Sequence, residues 1–115
     1  MADLFKFKQY KLAPEEQAVI DYHRQHLQLG TALRNPDGSA TTFRGAIVGT
    51  PEGELLFPTY WNGAVREIPD AMRLMMKSGL RFPRYKSVKE AELAEKRLHD
   101  IMERDVQEFY APRAK

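Results

Sequence analysis

Two histidines three residues apart are the first side chains whose types and spacing could do chemistry. On a helix, His23 and His26 would lie on one face, close enough for both imidazoles to bind one metal ion. The sequence indicates no third ligand beyond Asp21 or a distant carboxylate. Because isolated H-x-x-H pairs are common by chance, we predict no metal site and no cofactor.

The other residue types that serve as catalysts have structural explanations. The chain has no cysteine, which excludes thiolate catalysis, thiolate metal sites and disulfides. Ser39, Ser78 and Ser87 each lie at a predicted turn or helix end, and there is no G-x-S-x-G motif. His99 is expected on the surface of a helix. Since no nucleophile, base and stabilising group can be named together, we predict no catalytic residues and a protein that is not an enzyme.

A short basic segment is a candidate for binding a partner. Arg81, Arg84 and Lys86 alternate with Phe82 and Tyr85. This pattern could stack nucleic-acid bases and neutralise phosphates, or bind an acidic protein surface. The alternative is that both rings fill the core while the cations are merely solvated. We favour the core position for the rings and leave the role of the charges open.

Three more aromatic residues are candidates for partner binding. Trp61 lies at the tip of a predicted hairpin, where it could anchor a partner or fold back into the core. Phe5 and Phe7 alternate with lysines, which places both rings on one face of an extended segment. We interpret residues 1–13 as an arm that could pair with a sheet edge in this molecule or in another.

Charge is segregated along the chain, although the formal net charge is only +2. Every charged side chain between residues 71 and 89 is basic, whereas acids outnumber bases between residues 90 and 108. Surfaces of opposite sign would favour docking to a charged partner or to a second copy. The alternative is a solvated loop and a solvated helix that differ in charge without a function.

Three helices are predicted from caps and apolar spacing. Pro14 suits the first position of a helix over residues 14–29, whose modest apolar stripe indicates a position on the surface of the domain. A short helix follows at residues 70–77. Ser87 and Glu90 form a capping box that starts a long helix over residues 88–110, on which Asp105 falls at a position of the apolar spacing.

Three strands are predicted between the first two helices. A turn signal at Asn35–Gly38 precedes the first strand, and turn signals at Thr50–Gly53 and Asn62–Gly63 separate the strands. The strands cover residues 41–48, 54–60 and 64–68. They predict a small antiparallel meander, so the fold class is α+β. Pro58 requires a bulge or an edge position in the second strand, because proline cannot donate to the ladder.

Length and hydropathy bound the organisation of the chain. Its 115 residues suffice for one core, so we predict a single α+β domain over residues 14–115 after the arm at 1–13. The sequence shows no secretory signal and no apolar stretch long enough to span a bilayer. We therefore expect a soluble protein, located in the cytoplasm unless it is part of a larger particle, that has no membrane partner.

The second half of the chain resembles a small module of bacteriophage-encoded, virion-associated proteins. The matching signals are Pro58-Thr-Tyr-Trp-Asn-Gly63, Ser78-Gly79, Phe82-Pro-Arg-Tyr85, Glu90-Ala-Glu92 and His99, within residues 58–105. The resemblance implies a structural or adaptor protein that is made in the host cytoplasm and located in the virion. It would bind other virion proteins or further copies of itself. The alternative is a nucleic-acid-binding module that uses the basic residues between 73 and 89.

Overall fold

A computed structural model describes residues 5–111 and has an α+β architecture, as predicted. The helices are α1 (Pro14–Leu29), α2 (Ile68–Ser78) and α3 (Val88–Tyr110). The strands are β1 (Leu33–Arg34), β2 (Ala40–Thr41), β3 (Gly45–Thr50), β4 (Gly53–Pro58), β5 (Tyr60–Trp61), β6 (Ala64–Val65) and β7 (Arg84–Tyr85).

The helix ends follow their local sequence signals. Pro14 opens α1, and Gly30 ends it in the left-handed conformation at φ 71°. Ser87 Oγ accepts a hydrogen bond from the Glu90 N–H at 3.1 Å and caps α3. The Glu90 carboxylate accepts the N–H of Lys86 instead of that of Ser87. The predicted bounds of α1 and α3 are confirmed.

The main sheet has three strands in the order β3-β4-β7, all antiparallel. The prediction of 64–68 as its third strand is wrong, because β6 pairs only with β5 in a separate hairpin. Helix α2 begins at Ile68 with Glu67 as its N-cap, and only Ala64 and Val65 of that segment pair with another strand. The edge of β4 is occupied instead by the segment of β7, where the Leu56 N–H donates to the carbonyl of Pro83 at 3.0 Å.

Pro58 lies where the ladder ends, directly before two successive N–H groups, those of Thr59 and Tyr60, that both donate to the carbonyl of Phe43 in the pattern of a bulge. It is the last residue of β4 and lies opposite Gly45 of β3. The pairing with β7 involves only Glu54 and Leu55, at the other end of β4. The missing N–H of Pro58 therefore leaves no ladder position of β7 without a donor.

The core lies on both faces of β4. Leu55 and Leu56 point to opposite faces of the strand and are both buried. Helix α1 is also a core element, since Val19, Ile20 and Leu27 are fully buried and α1 packs along α3. The prediction that α1 lies on the surface is therefore wrong.

The described part of the predicted arm, residues 5–13, contains no strand and packs against helices. Phe5 and Phe7 lie on Phe109 of α3, with ring centroids 5.3 and 6.0 Å away. The carbonyl of Lys8 accepts a hydrogen bond from Arg24 Nη2 at 2.8 Å. This segment is thus part of the folded domain, while residues 1–4 of the arm lie outside the described residues.

We expect Ser87→Ala to lower the free energy of unfolding by about 1 kcal/mol, because the N–H of Glu90 loses its acceptor. Urea unfolding followed by circular dichroism measures the change. Ser87→Asp is the matched control, since aspartate also caps helices. Equal losses in both variants would contradict the capping role.

Candidate functional site

A buried polar network joins the two long helices to the loop that precedes β3. Its members are Thr42, His23, Asp105 and Arg24. His23 and Asp105 are 0% exposed, although they are 82 residues apart in sequence. Tertiary packing of α1 on α3 brings them together.

The distances define the order of contacts. Arg24 Nε donates to Asp105 Oδ2 at 2.7 Å, and Arg24 Nη2 donates to Oδ1 at 3.2 Å. His23 Nε2 lies 3.3 Å from Asp105 Oδ2 without the alignment of a hydrogen bond. On the other side of the ring, His23 Nδ1 lies 2.5 Å from the hydroxyl oxygen of Thr42.

The pKa shifts of His23 and Asp105 indicate which groups of this network carry protons. Burial lowers the pKa of His23 below 6.5 more than the contact with Asp105 raises it, so the imidazole is neutral near pH 7. Burial favours the neutral form of Asp105, but the close contacts with His23 and Arg24 outweigh it and hold the carboxyl pKa below 3.8. An ionised carboxylate only accepts, so the proton of His23 lies on Nε2. Nδ1 then accepts the hydroxyl proton of Thr42.

Thr42, His23 and Asp105 are the residue types of a catalytic hydroxyl, base and acid. The charges around them nevertheless favour a structural role, in which the network positions the surrounding elements. A carboxylate assists a catalytic histidine by stabilising the imidazolium that forms during reaction. Here Arg24 binds both oxygens of Asp105 and neutralises that charge. The network therefore holds α1, α3 and the loop before β3 in one arrangement.

A cleft of about 580 Å³ lies over this network, between the C-terminal half of α3 and residues 35–44. This volume is within the range of small-ligand sites. His99 and Glu103 line the α3 side, with His99 Nε2 3.8 Å from Glu103 Oε2, and Asp37 lines the other side. Hydrogen bonds from Ser39 lower the pKa of Asp37.

The two histidines of the H-x-x-H pair have different partners. His23 contacts Thr42 and Asp105, whereas His26 Nδ1 lies 2.7 Å from the hydroxyl oxygen of Thr31. Within residues 5–111, no group of three or more histidine and carboxylate side chains is arranged to hold a metal ion.

The aromatic candidates for partner binding pack within the protein. Trp61 is 9% exposed, and its Nε1 donates to the carbonyl of Pro58 at 2.7 Å, which places it in the core. Phe82 is buried as well, and Tyr85 is half-buried with its hydroxyl donating to Glu16 at 2.7 Å. These positions match the core alternative for the aromatic rings.

The basic candidates remain on the surface. Arg81 and Arg84 line a shallow cleft of about 380 Å³ together with Glu15 and Glu16. Lys86 is exposed just before α3. Between residues 77 and 89, none of the five cations forms an ion pair with the described residues, namely Lys77, Arg81, Arg84, Lys86 and Lys89.

An apolar strip beside these cations was missed in the sequence. Ile68, Met72 and Met76 lie four residues apart on α2, and Leu80 follows the helix. Met76 is 72% exposed, while Ile68 and Leu80 are 44% and 46% exposed. We call these four residues with Lys77 and Arg81 the α2 face. Their regular spacing was the available signal, but spacing does not show which flank of a helix the core covers.

The buried network was missed for a different reason. Asp105 at an apolar position of α3 was a local sign of a buried carboxylate. Its partners His23 and Arg24 lie on a helix expected at the surface, so nothing in the sequence connected them.

Comparison with protein-family models, with curated proteins and with solved structures finds no match to this chain. Over residues 5–111, none of the helices combines the length and the apolar character needed to cross a membrane.

We expect Asp105→Ala to lower the free energy of unfolding by about 3–5 kcal/mol, because it leaves Arg24 buried without its counter-charge. Asp100→Ala on the exposed side of the same helix is the matched control and should change stability by less than about 0.5 kcal/mol. Denaturant unfolding measures both. Similar small effects would show that the network does not stabilise the fold.

Acid should destabilise the protein through His23. Its folded pKa lies below the unfolded value of 6.5, so between the two values the unfolded chain binds a proton that the folded protein does not. Stability from this group is complete above pH 6.5 and falls as the pH decreases toward the folded pKa. His26, whose pKa burial also lowers, adds to the same trend.

Urea unfolding between about pH 5 and 7 measures this dependence. We expect His23→Gln to reduce the slope of unfolding free energy against pH, besides lowering stability overall. Gln25→Ala, at an exposed position of the same helix with no titratable side chain, should keep the slope of the original protein. An unchanged slope in His23→Gln would refute the assignment.

Proposed function

We propose that this protein is a non-enzymatic adaptor that binds an acidic, amphipathic segment of a larger protein through the α2 face. The observation that carries the proposal is the exposure of Ile68, Met76 and Leu80 beside cations that form no ion pair within residues 5–111. Exposed apolar side chains in a row supply area to bury, and the neighbouring charges select the sign of the partner.

Methionine supports this use of the surface. Met76 is 72% exposed and has a flexible, polarizable side chain that adapts to differently shaped partners, whereas Met72 is half-buried against the core. Lys77 and Arg81 border the strip and would meet carboxylates on the polar side of a bound segment. An amphipathic acidic helix offers both an apolar stripe and carboxylates at the required spacing.

The proposed setting is a bacteriophage particle, with the protein made in the host cytoplasm. The support is the resemblance of residues 58–105 to virion-associated modules, a range that contains the whole α2 face. The partners would then be other virion proteins. Pairwise binding assays with purified products of adjacent genes test this setting, and an absence of binding to all of them would remove it.

Nucleic acid is the alternative partner of the same surface. Lys77, Arg81, Arg84, Lys86 and Lys89 could contact phosphates. One feature favours a protein instead, because the exposed apolar strip has no role in phosphate binding.

Fluorescence anisotropy with a designed helical peptide tests the proposal. The probe carries leucines on one face and glutamates on the other, and the matched probe carries lysines in place of the glutamates. We expect binding of the acidic peptide only, and a loss of about fivefold or more in affinity for Met76→Ser. Leu93→Ser is the matched control, because Leu93 is an exposed leucine on α3 outside the α2 face.

Two outcomes would contradict the proposal. Equal affinity for both peptides, or an unchanged affinity in Met76→Ser, would remove the α2 face as the binding surface. Tighter binding of a DNA duplex than of the acidic peptide, with affinity falling steeply as salt rises, would establish the nucleic-acid alternative instead.

A further inference from the structure

The outer edge of β3 is an unpaired sheet edge. The sheet order is β3-β4-β7, so among residues 5–111 no strand pairs with the side of β3 that faces away from β4. The four residues before Gly49 are half-buried, and Gly49 itself is exposed. This edge lies outside both clefts and outside the α2 face.

The ladder determines which backbone groups point outward. The Leu56 N–H donates to Pro83, away from β3, so the neighbouring residues Leu55 and Phe57 direct their backbone groups toward β3. Their register partners are Val48 and Ala46. Backbone groups alternate in direction along a strand. The N–H and C=O groups of Gly45, Ile47 and Gly49 therefore point outward, away from β4.

The edge lacks the features that keep sheet edges apart. Natural edge strands carry charged side chains, prolines or bulges that prevent pairing with another chain. The segment Gly45–Thr50 contains none of these and reads Gly-Ala-Ile-Val-Gly-Thr. Unblocked edges of this composition accept a further strand.

We propose that β3 pairs antiparallel with β3 of a second copy about a two-fold axis at Ile47. Ile47 would then form both backbone hydrogen bonds with Ile47 of the second copy, and Gly45 would do so with Gly49. Ala46 would lie opposite Val48, where antiparallel strands bring side chains closest. The two sheets become one continuous sheet with apolar cross-strand contacts.

Self-complementarity favours a second copy over an unrelated strand. In this register Gly45 lies opposite Gly49 of the second copy, Ala46 opposite Val48, and Ile47 opposite Ile47. The segment Gly-Ala-Ile-Val-Gly is nearly the same when read in the reverse direction, so small residues face small residues and apolar side chains face apolar ones. None of these side chains is charged, so the two-fold axis brings no like charges opposite each other within the strand.

Light scattering after size-exclusion chromatography at up to about 1 mM protein measures the association. We expect a dimer for the original chain and a monomer for Gly49→Pro, which removes an outward N–H that the protomer itself does not use. Gly49→Ala is the matched control and should remain dimeric. Its added Cβ would lie 3.0 Å from the end of the Glu54 side chain, which can move. Circular dichroism confirms that each variant is folded.

Amide hydrogen exchange provides a second test that needs no variant. The outward N–H groups of Gly45, Ile47 and Gly49 should exchange several times more slowly at about 1 mM protein than at about 10 μM, because the dimer protects them. The N–H of Gly63, in the exposed turn between β5 and β6, is the internal control and should exchange at the same rate at both concentrations. This test decides the proposal even if Gly49→Pro does not fold.

The outcomes separate this interface from the α2 face. Met76→Ser should remain dimeric, and folded Gly49→Pro should still bind the acidic peptide. A monomeric original chain at about 1 mM, a dimer that persists in folded Gly49→Pro, or exchange of the outward β3 amides that does not slow with protein concentration would each overturn the proposal.

Discussion

The rest of the fold depends on the burial of Asp105 between Arg24 and His23. A carboxylate without access to water is stable only if hydrogen bonds and an opposite charge replace its hydration. Arg24 supplies both through two contacts, and His23 adds a third group that also reaches Thr42. One carboxylate of α3 thereby positions α1 and the loop that leads into the sheet.

This constraint explains the location of the remaining surfaces. With α1 and α3 held together, β4 is covered on both faces and the core is complete around it. Helix α2 contributes mainly Ala71 and Met75 to that core, which leaves its other apolar flank outside. The sheet ends at β3 because none of the other strands among residues 5–111 pairs with its outer edge.

The two proposed binding surfaces therefore differ in physical character. The α2 face offers side chains, both apolar and cationic, and would select a partner by the sign of its charge. The edge of β3 offers backbone hydrogen bonds with little side-chain selectivity, so the symmetry of two identical copies determines the match. Because they lie on separate elements, an adaptor could use both at the same time.

The sequence by itself determined the features that depend on neighbours along the chain. The bounds of α1 and α3, the turn at Asn35–Gly38 and the cap at Ser87 follow from residues within a few positions of each other. Local rules suffice there because prolines, glycines and capping side chains act on the adjacent backbone. The α+β class followed from the same signals.

Only the tertiary structure decided which residues meet across the chain. Three such features depend on packing between distant segments. They are the contact of Asp105 with His23 and Arg24, the pairing of β4 with β7 instead of residues 64–68, and the burial of Trp61. Local sequence is compatible with more than one such arrangement. The choice is made by how much apolar surface is buried and by which buried polar groups find partners, and both are properties of the whole fold.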